Sequence, residues 1–231
     1  MENQSSKFRV ESDLIGSLEI PADVLYGVQT LRGLENFPIS CFHLNDYPLF
    51  INGLAMTKLA ADEANYQLGL LSDAQYKAIS QACREILDGQ HHEHFPVDMI
   101  QGGAGTTTNM NANEVIANRA LQIMGFPLGK YKHCSPNDHV NCSQSTNDAY
   151  PTAIHIGLYA THLEFMKHYE KLISSFEAKA EEFKNILKMG RTQLEDAVPM
   201  TLGQTFGAFA SILKDEIRNI NFAAEEFLTV N

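Results

Sequence analysis

Two long stretches of three- and four-residue hydrophobic spacing dominate the second half of the chain. Between Thr152 and about Met189, apolar or aromatic side chains fall at positions 158, 165, 169, 172, 176, 180, 183 and 187, with His162 filling the remaining place. A mean step of roughly 3.5 predicts a left-handed bundle helix rather than an isolated amphipathic one. At ~1.5 Å per residue such a helix runs about 55 Å, and Gly190 is read as its end. A second helix carries Leu202, Phe206, Phe209, Leu213, Ile217, Ile220, Ala224 and Phe227. The sequence stops at Asn231 with no cap, glycine or proline to close that helix. Two bundle helices cannot bury their apolar faces alone. The faces are therefore expected to be covered either by more of a longer protein or by copies in an oligomer.

The first half is patterned differently. Residues 1–48 alternate β-prone pieces, Phe8–Val10 and Ser17–Ile20, with breakers at Gly16, Pro21, Gly27, Pro38 and Pro48. Leu49 to Leu71 reads as helical, with Phe50, Leu54, Leu59, Ala60 and Ala64 at mixed steps. Ser72 and Gln75 make a capping box opening a further helix to about Leu87, before Gly89. The pattern as a whole predicts an all-α protein: a long-helix bundle with a smaller, mostly helical N-terminal domain carrying short β pieces. The domain division is placed at 1–143 and 144–231.

Three polar stretches interrupt this helical frame. The first is Gln101-Gly102-Gly103-Ala104-Gly105-Thr106-Thr107-Thr108-Asn109, leading into a helix. Its glycines allow a tight, close-approaching backbone. No G-K-[ST] follows, so it is not a P-loop, and the glycine spacing does not fit a dinucleotide fingerprint. A plain glycine loop with a threonine cap is the alternative. The second runs from Pro136 to Pro151 and is rich in small hydrogen-bonding side chains, among them Asn141, Ser143, Gln144, Ser145, Thr146, Asn147 and Asp148, without Lys, Arg or Glu. Pro151 suits the first turn of a helix. The stretch is thus expected at a helix N-terminus, where free N–H groups and the dipole favour an anion. The pattern suggests a pocket for a small carboxylate, against ordinary helix capping as the bland reading. The third is Arg191-Thr192-Gln193-Leu194-Glu195-Asp196, followed by Leu202-Gly203-Gln204.

Charge narrows the partners. The net charge of −11 argues against nucleic acid and anionic membranes, which need clustered Lys and Arg. An anionic ligand would then be held by local donors rather than drawn in by the overall field. No apolar run approaches the ~18 residues of a membrane span, and no secretory signal is visible at Met1–Arg9. Cys41, Cys83, Cys134 and Cys142 form no C-x-x-C pair and are read as free thiols of a cytoplasmic protein. Arg32 is a candidate anion ligand or a surface ion-pair member. His91-His92-Glu93-His94 lacks H-E-x-x-H spacing and follows the Asp88-Gly89 helix stop, so it is read as a loop rather than a metal site.

Taken together, Gly103-Ala104-Gly105-Thr106 with Asn109-Met110-Asn111-Ala112-Asn113-Glu114, Pro136-Asn137-Asp138-His139-Val140-Asn141 with Gln144 to Thr152, and Gly190-Arg191-Thr192-Gln193 with Leu202-Gly203-Gln204 resemble the motifs of the aspartase/fumarase superfamily of lyases. The chain is similar to the N-terminal half of its aspartase branch, the aspartate ammonia-lyases, over nearly all its length. The resemblance implies reversible deamination of L-aspartate to fumarate and ammonia, with no cofactor or metal and with a homotetramer whose sites each draw on three subunits. It also implies roles: Ser145 and Thr146 on the β-carboxylate, Thr192 on the α-carboxylate, and Thr106, Asn147 and Gln193 around the amino group. The family's base is a serine in a Gly-Ser-Ser-Ile-Met-Pro loop. That motif is absent from these residues, and the resemblance places it beyond Asn231. The chain by itself is accordingly expected to be inactive, with His139 the first candidate for a base if it is not.

Two positions separate the alternatives. Fumarases of the superfamily carry His where this chain has Gln193. A glutamine amide cannot act as a general base, although its carbonyl can accept hydrogen bonds from an ammonium. Gln193 thus favours the ammonia-lyase over fumarate hydratase, the runner-up. Ser135 stands where fumarases usually have a histidine at a secondary dicarboxylate site, which puts that site in doubt. If 231 residues are the whole protein, a non-catalytic helical assembly module is the better reading.

Overall fold

In a computed structural model of the chain, residues 7–230 are described. Two expectations reach outside that range: the reading of Met1–Arg9 as free of a secretory signal falls in part on Met1–Ser6, and Asn231 is the point beyond which the base loop is placed. The described residues fall into two compact units, one reaching to Leu158 and taking in Val230, the other spanning Tyr159–Thr229. The fold is all-α with short strands, as the pattern predicts.

The first unit opens with an antiparallel hairpin of β1 (Phe8–Ser12) and β2 (Ser17–Pro21), in which Phe8 faces Pro21 and Ser12 faces Ser17. Helices α1 (Val28–Asn36), α2 (Pro48–Gln67), α3 (Asp73–Leu87) and α4 (Thr106–Ile123) follow. The Ser72/Gln75 capping box is present at the start of α3. Burial centres on α4, whose Ala112, Val115, Ile116, Ala117, Ala120 and Leu121 join Ile51 and Leu54 of α2 and Ile79, Ala82 and Ile86 of α3. Because α4 is enclosed, its polar side chains are buried too: Thr108, Asn109, Asn111, Asn113, Glu114 and Asn118.

The predicted face of α2 needs correction. Of the apolar positions read from the sequence only Leu54 is fully buried. The buried stripe continues instead as Lys58, Asp62 and Asn65. These polar residues have partners: Ser80 Oγ donates to Asp62 Oδ2 at 2.8 Å, and Asn65 Nδ2 donates to the Cys142 carbonyl at 2.9 Å. The mixed spacing reflects a helix whose inner face is half polar.

The long helix is also displaced. It is α5, Thr146–Glu182, 37 residues with Pro151 inside. It begins six residues before the predicted start, so the last residues of the second polar stretch form its first turn. It ends before the expected Met189, because Leu187–Thr192 (β3) and Glu195–Thr201 (β4) form an antiparallel hairpin. Its two-residue loop, Gln193 and Leu194, has φ values of 48° and 66°. Such left-handed loops are normally written Asn-Gly or Asp-Gly, so Gln-Leu concealed the turn. Helix α6 (Leu202–Glu225) follows, its N-terminus closed by a Thr201/Gln204 capping box. In the second unit a Cβ on Gly203 would stand 2.4 Å from the Ala180 carbonyl oxygen, so α6 starts against the α5 backbone. Phe176 and Phe206, 5.9 Å apart between ring centroids, pack the two helices together.

Candidate functional site

The first polar stretch is placed by its glycines and by Gln101. Gly105 precedes α4 with φ 85°, a conformation that favours glycine, and a Cβ there would fall 2.3 Å from the Tyr150 ring of α5. Gly105 offers no side-chain cap, and Thr106 is the first helical residue rather than the cap. Gln101 does the capping: its Oε1 accepts from Thr108 N at 2.9 Å and its Nε2 donates to Thr108 Oγ1. The hydroxyl of Thr106 is left exposed at the helix start, where donors and the dipole favour negative charge.

The second stretch reaches the same place from the other side. Pro136–Val140 forms a single π-helical turn, capped by Ser135, whose Oγ accepts from Asp138 N at 3.1 Å. Ser135 N also donates to His139 Nδ1 at 2.7 Å, which occupies that ring nitrogen. Ser143 turns the chain with φ 58° before α5 begins. Ser145 Oγ accepts from Asn147 N at 3.2 Å, so Ser145 does cap the helix. Capping uses the oxygen and leaves its O–H to donate, so the two readings of this stretch are compatible.

Thr146 is set more firmly. Asn109 Nδ2 donates to Thr146 Oγ1 at 3.1 Å and to Asn141 Oδ1 at 3.1 Å. A hydroxyl that accepts one bond keeps its own O–H to donate. Asn141 Oδ1 also accepts from Asn113 Nδ2 at 3.2 Å and from Lys58 Nζ at 2.9 Å, and Lys58 donates to Gln144 Oε1 at 2.9 Å as well. Lys58 is 1% exposed. Burial pushes its ammonium down to about 7, while two neutral acceptors favour the charged form. No sequence motif marked Lys58. The one available signal was a lysine four residues after Leu54 and four before Asp62, on the inner stripe of α2.

Between the two stretches lies a cleft of about 530 Å³, lined by Gln101, Gly103, Gly105, Asn147, Tyr150 and Ile154 among others. That size suits a small metabolite. The structure thus brings Thr106, Ser145, Thr146 and Asn147 onto two adjoining helix starts in the first unit. Thr192 and Gln193 are exposed on the β3–β4 hairpin of the second. Gln193 holds a left-handed conformation uncommon for its type, a feature found at functional positions.

Arg32 is taken up by structure. Its Nε and Nη2 grip Asp13 at 2.8 and 2.9 Å, and this pairing holds the Asp13 carboxyl down at about 2. The ion-pair reading therefore replaces the anion-ligand one. Glu114, which the motif list included without a role, receives Gly27 N, Gln29 N, Thr30 N and Thr30 Oγ1 at 2.7–2.9 Å. It caps α1 from within the core, because Gly27 has no side chain to do so.

Polar loops gathered at helix starts beside a small cleft, on an all-helical frame, fit the lyase architecture that the three motifs resemble. Residues 16–230 match the family described as lyase, and the chain belongs to that family. It is 54% identical to the aspartate ammonia-lyase of Pseudomonas canavaninivorans, over 98% of this chain and 48% of that protein. It is 51% identical to the aspartate ammonia-lyase of Escherichia coli strain K12, over 98% of this chain and 48% of that one. The chain therefore spans about half the length of the curated relatives it matches. Among solved structures, the native form of fumarate lyase:delta crystallin from Brucella melitensis superposes with a TM-score of 0.93 at 50% identity, covering 96% of this chain and 50% of that one. The class II fumarase of Schistosoma mansoni gives 0.82 at 37% identity, covering 96% and 47%.

Proposed function

We propose that this chain supplies the N-terminal half of an aspartate ammonia-lyase, which interconverts L-aspartate with fumarate and ammonia. The observation that carries the proposal is the pair of adjoining helix starts, with Thr146 Oγ1 accepting from Asn109 Nδ2 so that its O–H is kept as a donor. In the reaction a base takes a proton from the carbon beside the β-carboxylate, and the C–N electron pair leaves with the amine. The negative charge that builds on the β-carboxylate oxygens needs donors fixed in advance. Ser145 and Thr146 are assigned to those oxygens, Thr192 to the α-carboxylate, and Thr106, Asn147 and Gln193 to the amino group. The base serine lies beyond Asn231 in the same reading.

A homotetramer that builds each site from three subunits belongs to the proposal. Its support is the exposure of Leu163, Phe165 and Leu172 on α5 and of Phe209, Ile212 and Phe222 on α6. A division at 143/144 and a cytoplasmic setting complete it. The start of α5 at Thr146 supports the former. For the latter, among the described residues all four cysteines are free and no helix is long and apolar enough to cross a membrane.

Fumarate hydratase is the second reading, kept alive by the fumarase likeness and opposed by Gln193. The test compares wild type and Gln193→Ala in the full-length protein with aspartate and with malate. Losing a hydrogen bond to the ammonium costs roughly 1.5–3 kcal/mol, so Gln193→Ala is expected to lose about ten- to 150-fold in kcat/KM on aspartate. Efficient malate dehydration with little aspartate turnover by wild type would move the assignment to the hydratase.

A further inference from the structure

The short turn His92–His94 follows α3, entered through His91 at φ 68°. The spacing of its histidines favoured a loop over a metal site, but the folded turn points to one. His91, Glu93 and His94 each bring one ligand atom into a group lying within 4.8 Å of one another. His94 Nε2 and Glu93 Oε1 are already 3.4 Å apart. We propose that His91, Glu93 and His94 bind a divalent first-row transition ion of the zinc type, with water completing the coordination. None of these three residues is among those assigned to the substrate above.

The turn is held from four sides. His91 Nε2 lies 3.0 Å from Glu85 Oε2, and Glu85 is itself fixed by Arg119 at 2.5 and 3.0 Å. A histidine ligand that gives its other ring N–H to a carboxylate is the usual supporting arrangement at metal sites, and it leaves Nδ1 as the nitrogen for the ion. His92 uses its Nε2 on the Ile86 carbonyl at 2.8 Å, which keeps it out of the ligand group. Asn111 Nδ2 donates to the His94 carbonyl at 3.0 Å, and the next residue, Phe95, is buried in the core. The backbone between the two histidines is therefore anchored, and only short side-chain adjustments are needed to bring three ligands onto one ion.

The donor set chooses the ion. Two imidazoles and one carboxylate suit zinc and its neighbours, whereas magnesium and calcium prefer all-oxygen shells. Three protein ligands with an open fourth position make an exchangeable site rather than a closed structural one.

The experiment is calorimetric titration of the full protein with Zn²⁺, joined to zinc X-ray absorption of the loaded sample. Wild type should take up one zinc per chain at this site, with nitrogen and oxygen neighbours at about 2.0–2.2 Å. His94→Ala and His91→Ala should each weaken binding by at least 100-fold. Glu93→Gln should weaken it at least tenfold, since even supporting residues at metal sites are worth 10- to 100-fold. The Glu93 side chain is 69% exposed, so this variant keeps the fold and tests the site even where a histidine variant does not fold. Unchanged zinc affinity in Glu93→Gln, or sulfur neighbours at about 2.3 Å that reveal a cysteine site, would overturn the proposal.

Discussion

Replacing Lys58 by methionine separates two effects that oppose each other beneath the candidate site. Burial pushes the Lys58 ammonium from 10.5 to about 7. At ~1.36 kcal/mol per unit, that sets a ceiling of about 5 kcal/mol on the cost of keeping the charge inside. Bonds from a charged donor return roughly 1.5–3 kcal/mol each, and Lys58 makes two. The terms nearly cancel. Methionine gives up both and fills much the same space, so Lys58→Met should shift stability by no more than about 2 kcal/mol at pH 7. Its clearer signature is in pH. A lysine whose folded pKa is depressed binds fewer protons folded than unfolded between the two values. Wild-type stability therefore gains from this group as pH rises from about 7 towards 10.5, by at most ~1.4 kcal/mol per pH unit. The two hydrogen bonds favour the charged form and narrow that window from its lower end. Cys83, in electrostatic contact with Lys58, stays protonated there because burial raises its thiol, and Asp62, raised to about 6, titrates below the window. The assay is urea unfolding of both proteins at matched concentration from pH 7 to 10. Parallel stability curves would refute the reasoning, because they would mean that the Lys58 ammonium folds without desolvation.

Two further substitutions test the site and its support. Glu114→Ala removes the acceptor for Gly27 N, Gln29 N and Thr30 N. At about 1–3 kcal/mol for each buried donor left unpaired, it should destabilise by at least about 3 kcal/mol in urea titration, and a loss under 1 kcal/mol would show that water replaces the carboxylate. Thr146→Ala removes a donor assigned to the β-carboxylate and should lower kcat/KM for aspartate in the full-length protein by on the order of 10²–10³; near-normal activity would reduce the stretch to helix capping.

The N-terminal hairpin and the α3 capping box could be read from the sequence because each has a local cause. Breakers flank β1 and β2, and Ser72 and Gln75 satisfy each other's backbone donors within four residues. Where the sequence misled, the cause was not local. The start of α5 was masked by Pro151, which suits a first turn but stands here at the sixth position, where it forgoes one helical bond and its ring crowds the carbonyl four residues earlier. The β3–β4 hairpin was masked because Gln193 and Leu194 adopt left-handed backbone without the glycine or asparagine that announces it. Leu187, counted as a bundle position, belongs to a strand. A strand residue can satisfy a helical period by coincidence at one position, and the period is diagnostic only over several turns.

The candidate site shows the same division more sharply. Thr106, Ser145, Thr146 and Asn147 were visible because small polar side chains cluster beside glycines and helix starts. What fixes them was not visible, since it comes from residues distant in sequence. Asn109 reaches Thr146 across 37 positions, and Lys58 reaches Asn141 across 83. A polar residue on the inner stripe of a helix looks like a fault in the hydrophobic period until its partner is known. Lys58, Asp62 and Asn65 of α2 and Asn109, Asn113 and Glu114 of α4 are all of this kind. Each costs burial free energy unless it is hydrogen-bonded, so each ties its helix to one particular neighbour. Lys58 and Asn65 act on the segment between the π turn and α5, through Asn141, Gln144 and the Cys142 carbonyl. Donors that must already point at a developing charge need such a fixed base. The breaks in the hydrophobic pattern of α2 and α4 were thus the trace of what holds the candidate site, carried by the very helices that form the core.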